Sequence, residues 1–282
     1  MSFLHQLDVL AYRLVVGVWD LYWPVLAVVF LLSLAERRFS IEKAQPWRAW
    51  WFNIVWHAGL LAMVVAMSWT AWTEFIAWLG SAGHWLPWRM AAPQGPLDAW
   101  VRVALGLVVH DFFNYWAHRL QHRLPALWAI HQFHHDERHV NASTSLRSHW
   151  LGILFVQVVV LVPMMWLLGF EAMSPAVFVV LGIFAALTHV NVDIGFGRFS
   201  TWLVSPRYHR NHHARERSLH DSNYAEMFPL WDIVFGTFTS PARHSVQATG
   251  LGYVPATDSF GPAFVQPLVD WARMLRSATT RL

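Results

Sequence analysis

Nine histidines of this 282-residue chain stand at spacings that would gather them. His118 and His122 make H-x-x-x-H. His131, His134 and His135 make H-x-x-H-H, and His209, His212 and His213 repeat it, with His189 alone between the last two motifs. Imidazole can be neutral at pH 7 and is the commonest transition-metal ligand. Residues three and four apart share a helix face, so each motif projects its imidazoles from one side of a helix. A single tetrahedral ion takes about four ligands, or three and a water. Eight or nine imidazoles exceed that, which predicts two ions rather than one. Nitrogen-rich ligation suits Fe, Zn, Cu or Ni, and the spacing does not choose among them. The chain has no cysteine, which excludes disulfides, thiolate zinc sites and iron–sulfur clusters.

The elements that must position these groups read as a membrane bundle. The chain is 56% hydrophobic and 13% charged, with 19 Trp and a mean hydropathy of +0.34; a soluble domain carries roughly twice that charge, and Trp favours membrane interfaces. Apolar stretches cover 14–34, 50–79, 97–117, 150–169 and 174–190. At about 20 residues per crossing they predict an all-α integral membrane protein with four to five membrane helices. The stretch 97–117, carrying Arg102 and Asp111, is expected inside the bundle, and 150–190 as a hairpin turning at Gly169, Glu171 and Pro175. Basic residues mark cytoplasmic loops. Arg37, Arg38, Lys43 and Arg48, then Arg119, Arg123, Arg138 and Arg147, then the Arg-rich tail from Gly195 place every histidine motif on the cytoplasmic side, in a histidine-rich helical cap. The reading is of a multi-pass protein, of bacterial inner-membrane type, with no cleavable signal peptide at its start. The organisation is N-terminal membrane helices over 1–96, a histidine-rich catalytic domain over 97–240 and a peripheral tail over 241–282. No Lys/Arg run dense enough for nucleic acid occurs.

Lone histidines in apolar helices usually pack, and His5, His57, His84 and His244 are read that way. His149 and His220 are intermediate, and His139 lies four residues beyond His135, where it could extend that face. His110, two turns before His118 on nearly the same face, is read as a channel or supporting residue, or as one hydrogen-bonded to a neighbouring helix. Asp193, four residues after His189, is a possible carboxylate ligand or a partner orienting an imidazole. Asp111, Asp221 and Asp232 could accept the second N–H of ligating imidazoles. Three rivals are weighed. A membrane zinc hydrolase lacks its H-E-x-x-H signature and has too many imidazoles. A bis-histidine heme protein would need its pairs deep between helices. A non-enzymatic metal carrier would need ionisable residues along a crossing path.

The runs H-D-F-F-N-Y-W-A-H-R-L-Q-H (110–122), H-Q-F-H-H (131–135), R-Y-H-R-N-H-H (207–213) and D-S-N-Y-A-E-M-F-P-L-W-D-I-V-F-G-T-F (221–238) resemble the fatty acid hydroxylase / sterol desaturase superfamily over roughly 100–240. The resemblance implies an integral membrane non-heme di-iron oxygenase that hydroxylates or desaturates a fatty acid, sterol or ether lipid with O2. It implies two iron ions on His118, His122, His131, His134, His135, His209, His212 and His213, with His189 as the intervening histidine. Asp193 stands where many members carry a second one, and Asn223-Tyr224-Ala225 replaces Asn-Tyr-Gly. The lipid would enter from the bilayer. Electrons would come from a separate ferredoxin or cytochrome b5 type reductase system, because the chain has no G-x-G-x-x-G nucleotide loop. Arg207, Arg210, Arg215 and Arg217 could dock an acidic donor or be drawn to anionic lipid at the membrane surface.

Overall fold

The structure, a computed structural model, describes residues 3–42, 46–67, 94–168, 175–241, 248–254 and 256–279, with short pieces at 74–75, 78–79 and 81. It is helical throughout: α1 (Phe3–Phe39), α2 (Trp47–Met67), α3 (Pro96–Arg123), α4 (Pro125–His135), α5 (Trp150–Leu168), α6 (Pro175–Thr188), α7 (Pro206–His212), α8 (Leu230–Val234) and α9 (Phe260–Thr279). Short 3-10 turns cover Ala142–Leu146, Gly197–Thr201 and Arg217–Leu219. Among the described residues there is no strand, only an isolated bridge between Ala214 and Thr249.

Prolines set where the histidine helices begin. Pro96, Pro125 and Pro206 stand in the first turns of α3, α4 and α7, where a missing N–H costs nothing. Leu124 ends α3 and caps α4, at φ −103°, ψ 117°. The residue before a proline is driven to this extended region, so one residue folds the H-x-x-x-H helix back on the first H-x-x-H-H helix. Ser205 caps α7 by accepting from the Tyr208 N–H.

By length and composition, α5 is the one helix among the described residues apolar enough to cross a membrane; α6 is apolar but has 14 residues. Most of 68–96, including the end of the expected 50–79 span, lies outside the described residues, as does the expected turn at 169–174. A wide π turn, Gln157–Leu161, interrupts α5. The expected 150–190 hairpin is not a tightly paired one. α6 packs chiefly on α1, α3 and the 142–146 turn rather than on α5. Glycines make that approach possible. A Cβ on Gly182 would lie 2.7 Å from Val25 Cγ2, and one on Gly106 would lie 2.9 Å from Val177 Cγ2.

α3 is two-faced. Leu97, Trp100 and Val101 point outward, while Val103, Gly106, His110, Asp111, Tyr115 and His118 are buried. Trp19, Trp23, Phe30 and Leu31 of α1 and Trp51 and Val55 of α2 are also exposed. Apolar surface of this extent marks a lipid or protein contact.

Arg147, expected on a cytoplasmic loop, is instead a buried pillar at 1% exposure. It donates to Phe133 O at 2.9 Å, Asn53 Oδ1 at 3.0 Å, Asp136 Oδ1 at 2.6 Å and the Thr257 carbonyl, and its guanidinium lies 4.3 Å from the Phe133 ring centre. It thus ties α2, α4 and the C-terminal segment together. α9 lies against α4, with Trp271 Nε1 donating to Ala126 O at 2.7 Å and Gln132 Nε2 to Asp270 at 2.6 Å.

Candidate metal centre

The nine imidazoles come together, in two groups. His118, His122, His131, His135 and His212 form one, and His134, His189, His209 and His213 the other. Within each group the ligating atoms all lie within 4.8 Å of one another. The two H-x-x-H-H motifs are divided between them. His131 and His135, four apart, face the first group while His134 turns to the second; His209 and His213 face the second while His212 turns to the first. Neighbouring residues on a helix point about 100° apart, so each His-His pair straddles the two groups rather than serving one centre.

The ring edges facing inward are nitrogens crowded against one another. His135 Nε2 lies 3.1 Å from His122 Nε2, 3.2 Å from His131 Nε2 and 3.2 Å from His212 Nε2. In the second group His189 Nε2 is 3.2 Å from His134 Nε2 and 3.0 Å from His209 Nε2. One nitrogen cannot satisfy three others by hydrogen bonding. Imidazoles about 2.1 Å from a shared ion would stand about 3 Å apart at right angles. His118 Nε2 and both His213 nitrogens are buried with no hydrogen-bond partner. The donor set therefore fits two metal ions.

The outer ring edges are fixed by carbonyls. Nδ1 of His118 meets Tyr224 O at 2.8 Å, of His212 Ser222 O at 2.8 Å, of His189 Ala185 O at 2.7 Å, and of His134 Arg147 O at 3.3 Å. A carbonyl can only accept, so Nδ1 carries the proton and Nε2 keeps its lone pair for the centre. Burial, reinforced by the neighbouring imidazoles, holds His122, His131, His134, His135, His209, His212 and His213 well below the usual histidine range. They are neutral at pH 7, the form that binds metal.

Two buried aspartates shape the loop that supplies two of those carbonyls. Asp232 accepts from the Tyr224 and Ala225 N–H groups, Tyr208 Oη and Thr237 Oγ1, at 2.7–2.8 Å. Asp111 accepts from the N–H groups of Glu226, Met227 and Phe228 at 3.0, 2.9 and 2.8 Å. Asp221 and Asn223 hold positive φ, 57° and 60°, and the turn they make presents Ser222 O and Tyr224 O toward His212 and His118. Asp111 and Asp232 therefore act on the imidazoles through backbone, not by accepting from a ring.

The other expected residues divide. His110 lines the cavity beside the first group, with Asn114 and His118 on one face of α3. His149 also lines it and caps α5. His139 is outside both groups and faces Glu42 at 3.6 Å. Asp193 is neither a ligand nor an imidazole partner: it is half exposed and accepts from Arg207 at 2.7 Å. The arginines expected to dock a donor are largely committed within the fold. Arg207 pairs with Asp193, buried Arg210 with Glu42 at 2.6 Å, and Arg215 donates to Thr249 O. Sequence reasoning missed the carbonyl partners, because backbone atoms leave no mark in a sequence. It also passed over Glu226, whose signal was a lone acid inside Y-A-E-M-F-P-L-W.

A cavity of about 360 Å³ opens from the imidazoles of His118, His131, His134, His189 and His209 and runs between α3, α5 and α6 to Leu161 and Phe178.

The fatty acid hydroxylase family model matches residues 103–237, the segment that carries all nine histidines. The chain is 32% identical to ornithine lipid hydroxylase OlsE of Rhizobium tropici over 241 residues, 80% of this chain and 69% of that protein. It is 33% identical to the alkylglycerol monooxygenase of Homo sapiens over 171 residues, 59% of this chain and 36% of that one. The Xenopus tropicalis alkylglycerol monooxygenase is also 33% identical, over 64% of this chain and 37% of its own length. The chain thus spans just over two thirds of the first relative and little more than a third of the other two. No solved structure matches it. The chain belongs to the fatty acid hydroxylase family and is an oxidoreductase of that family.

Proposed function

We propose that the protein is a membrane-embedded, O2-dependent lipid hydroxylase holding two iron ions. His118, His122, His131, His135 and His212 would hold one, and His134, His189, His209 and His213 the other. The observation that carries this reading is the convergence of two sets of neutral imidazoles on a cavity between α3, α5 and α6. Iron bound there would supply the activation of O2 that attack on an unactivated C–H bond requires.

The protein's own residues do the rest. The carbonyls of Tyr224, Ser222, Ala185 and Arg147 keep four Nε2 lone pairs directed inward. Ile153, Val156, Leu161 and Phe178 give the cavity an apolar wall that takes an aliphatic chain and excludes water. The relatives' names, an ornithine lipid hydroxylase and alkylglycerol monooxygenases, support a lipid substrate and hydroxylation over desaturation. The outward apolar faces of α1, α2 and α3 support residence in a bilayer, with the histidine cap on the cytoplasmic side. Electrons come from a separate donor of ferredoxin or cytochrome b5 type. A zinc hydrolase would leave most of the nine imidazoles without a task.

The test is metal content and lipid oxidation in detergent-purified protein, beside His134→Ala and His212→Ala. About two irons per chain, reduced in both variants together with O2-dependent lipid oxidation, is the expected result. A wild type that holds one zinc after anaerobic iron loading would overturn the proposal. The absence of cysteine makes topology directly measurable: a cysteine replacing Arg217 should react with an impermeant thiol reagent only from the cytoplasmic face.

A further inference from the structure

Glu226 is a carboxylic acid deep inside the molecule that the metal centre does not use. It projects from the loop pinned by Asp111, and Oε2 accepts from Asn114 Nδ2 at 2.9 Å. His110 Nδ1 is 4.0 Å from the same oxygen and is itself buried without a hydrogen-bond partner. No Lys or Arg pairs with Glu226 among the described residues. Yet 23% of its side chain is exposed, and the space it meets is the cavity, where Glu226, Asn114 and His110 all line the wall. Burial, and then the nearby Asp111 carboxylate, raise its carboxyl to about 8, so it is uncharged at pH 7. Asn114 lies one helical turn, and His110 two turns, from His118 along α3, about 6 and 12 Å.

A cavity for a purely aliphatic chain has no use for these groups, because an unsatisfied buried polar atom is costly. We infer that Glu226, with Asn114 and His110, binds a hydroxyl group of the lipid substrate inside the cavity. The three side chains offer both donors and acceptors in an uncharged setting, which suits a hydroxyl that donates and accepts at once. Held there, the lipid presents a carbon several bonds away to the imidazole end. The inference deepens the reading of the cavity as a lipid site and rests on it.

The experiment is equilibrium binding of radiolabelled hexadecan-1-ol, hexadecane and hexadecylamine to the full-length protein in detergent, with iron measured on the same samples. Wild type, E226Q, E226L and Asn114→Leu are compared by their ratio of hexadecanol to hexadecane affinity, which cancels any common loss of folded protein. The wild-type ratio should exceed that of E226L by about tenfold, the worth of roughly one buried hydrogen bond. E226Q, which keeps a donor and an acceptor, should retain most of it, and Asn114→Leu should lose part. Equal ratios in wild type and E226L would overturn the inference. So would tighter binding of hexadecylamine that E226Q abolishes, since that marks a site for cations. Preserved ratios in protein that fails to load iron or oxidise lipid would count against the proposed function and leave the hydroxyl site standing.

Discussion

Replacing Arg147 by Met keeps the length of the side chain and removes its charge and donors. Four acceptors lose their partner: Phe133 O, Asn53 Oδ1, Asp136 Oδ1 and Thr257 O. Asp136 keeps only its hydrogen bonds with Thr257, whose N–H lies at 3.0 Å, and is left as a buried acid with no basic partner. Removing one partner of a buried ion pair costs about 3–5 kcal/mol, mostly the penalty of the stranded group. In a chain of this size each kcal/mol is worth about 2–4 °C, so the melting temperature should fall by on the order of 10 °C. The sharper test is the double-mutant cycle. Asp136→Asn alone should also destabilise, but Arg147→Met with Asp136→Asn should be clearly less harmful than the sum of the two, because the stranded charge is gone. The assay is thermal unfolding of the four proteins in one detergent at one scan rate, since membrane proteins often unfold irreversibly. A drop below about 2 °C for Arg147→Met, or strictly additive effects, would refute the view of Arg147 as the charged pillar joining α2, α4 and the C-terminal segment.

Three other predictions follow from the same contacts. Asp232→Asn should weaken iron binding by about 10- to 100-fold, because Asp232 holds the loop whose Tyr224 carbonyl orients His118; unchanged iron affinity by chelator competition would show that the loop is held otherwise. The depressed imidazoles set a pH dependence. Below about pH 6.5 an unfolded chain takes up protons that these buried rings refuse, so stability rises with pH up to that point and is lost on acidification. Metal-free protein should therefore melt at steadily lower temperature from pH 7 to pH 5, and a flat profile would contradict the buried neutral cluster. Gly182→Ala should destabilise by about 1–3 kcal/mol, since its Cβ would meet Val25 Cγ2 at 2.7 Å; adding Val25→Ala should recover most of the loss in the same melting assay.

The histidine cluster was legible because eight of its nine members are written in side chains with helical period. The all-α class could be read from the apolar stretches and those eight residues from their spacing, while His189 came with the family that the motifs carried. What could not be read was the partition. Spacing assigns His131, His134 and His135 to one face, and only the crossing of α4 with α3 and α7 decides that His134 turns to the other group. Charge counting treats every arginine as loop surface and does not see that Arg147 and Arg210 are buried in ion pairs. Asp193 looked like a ligand by its distance from His189 in sequence. The chain leaves helix after Thr188, so the four-residue spacing no longer means a shared face. Glu226 lies in a loop that Asp111 draws against the middle of α3, a long-range contact with no local sequence cue.

The straddling His-His pairs bear on how such a centre can change over time. α4 and α7 each serve both groups, so neither group is a module that can be copied, exchanged or retuned alone. A one-residue slip of either helix would leave a histidine at only one of its three ligand positions. Only His118 and His122 on α3, and His189 beyond α6, belong to single groups without a neighbour in the other. Variation that spares both groups is therefore confined to residues outside the nine, such as the cavity wall. A lineage built on this plan diversifies by changing what it holds in the cavity while the imidazole frame stays fixed.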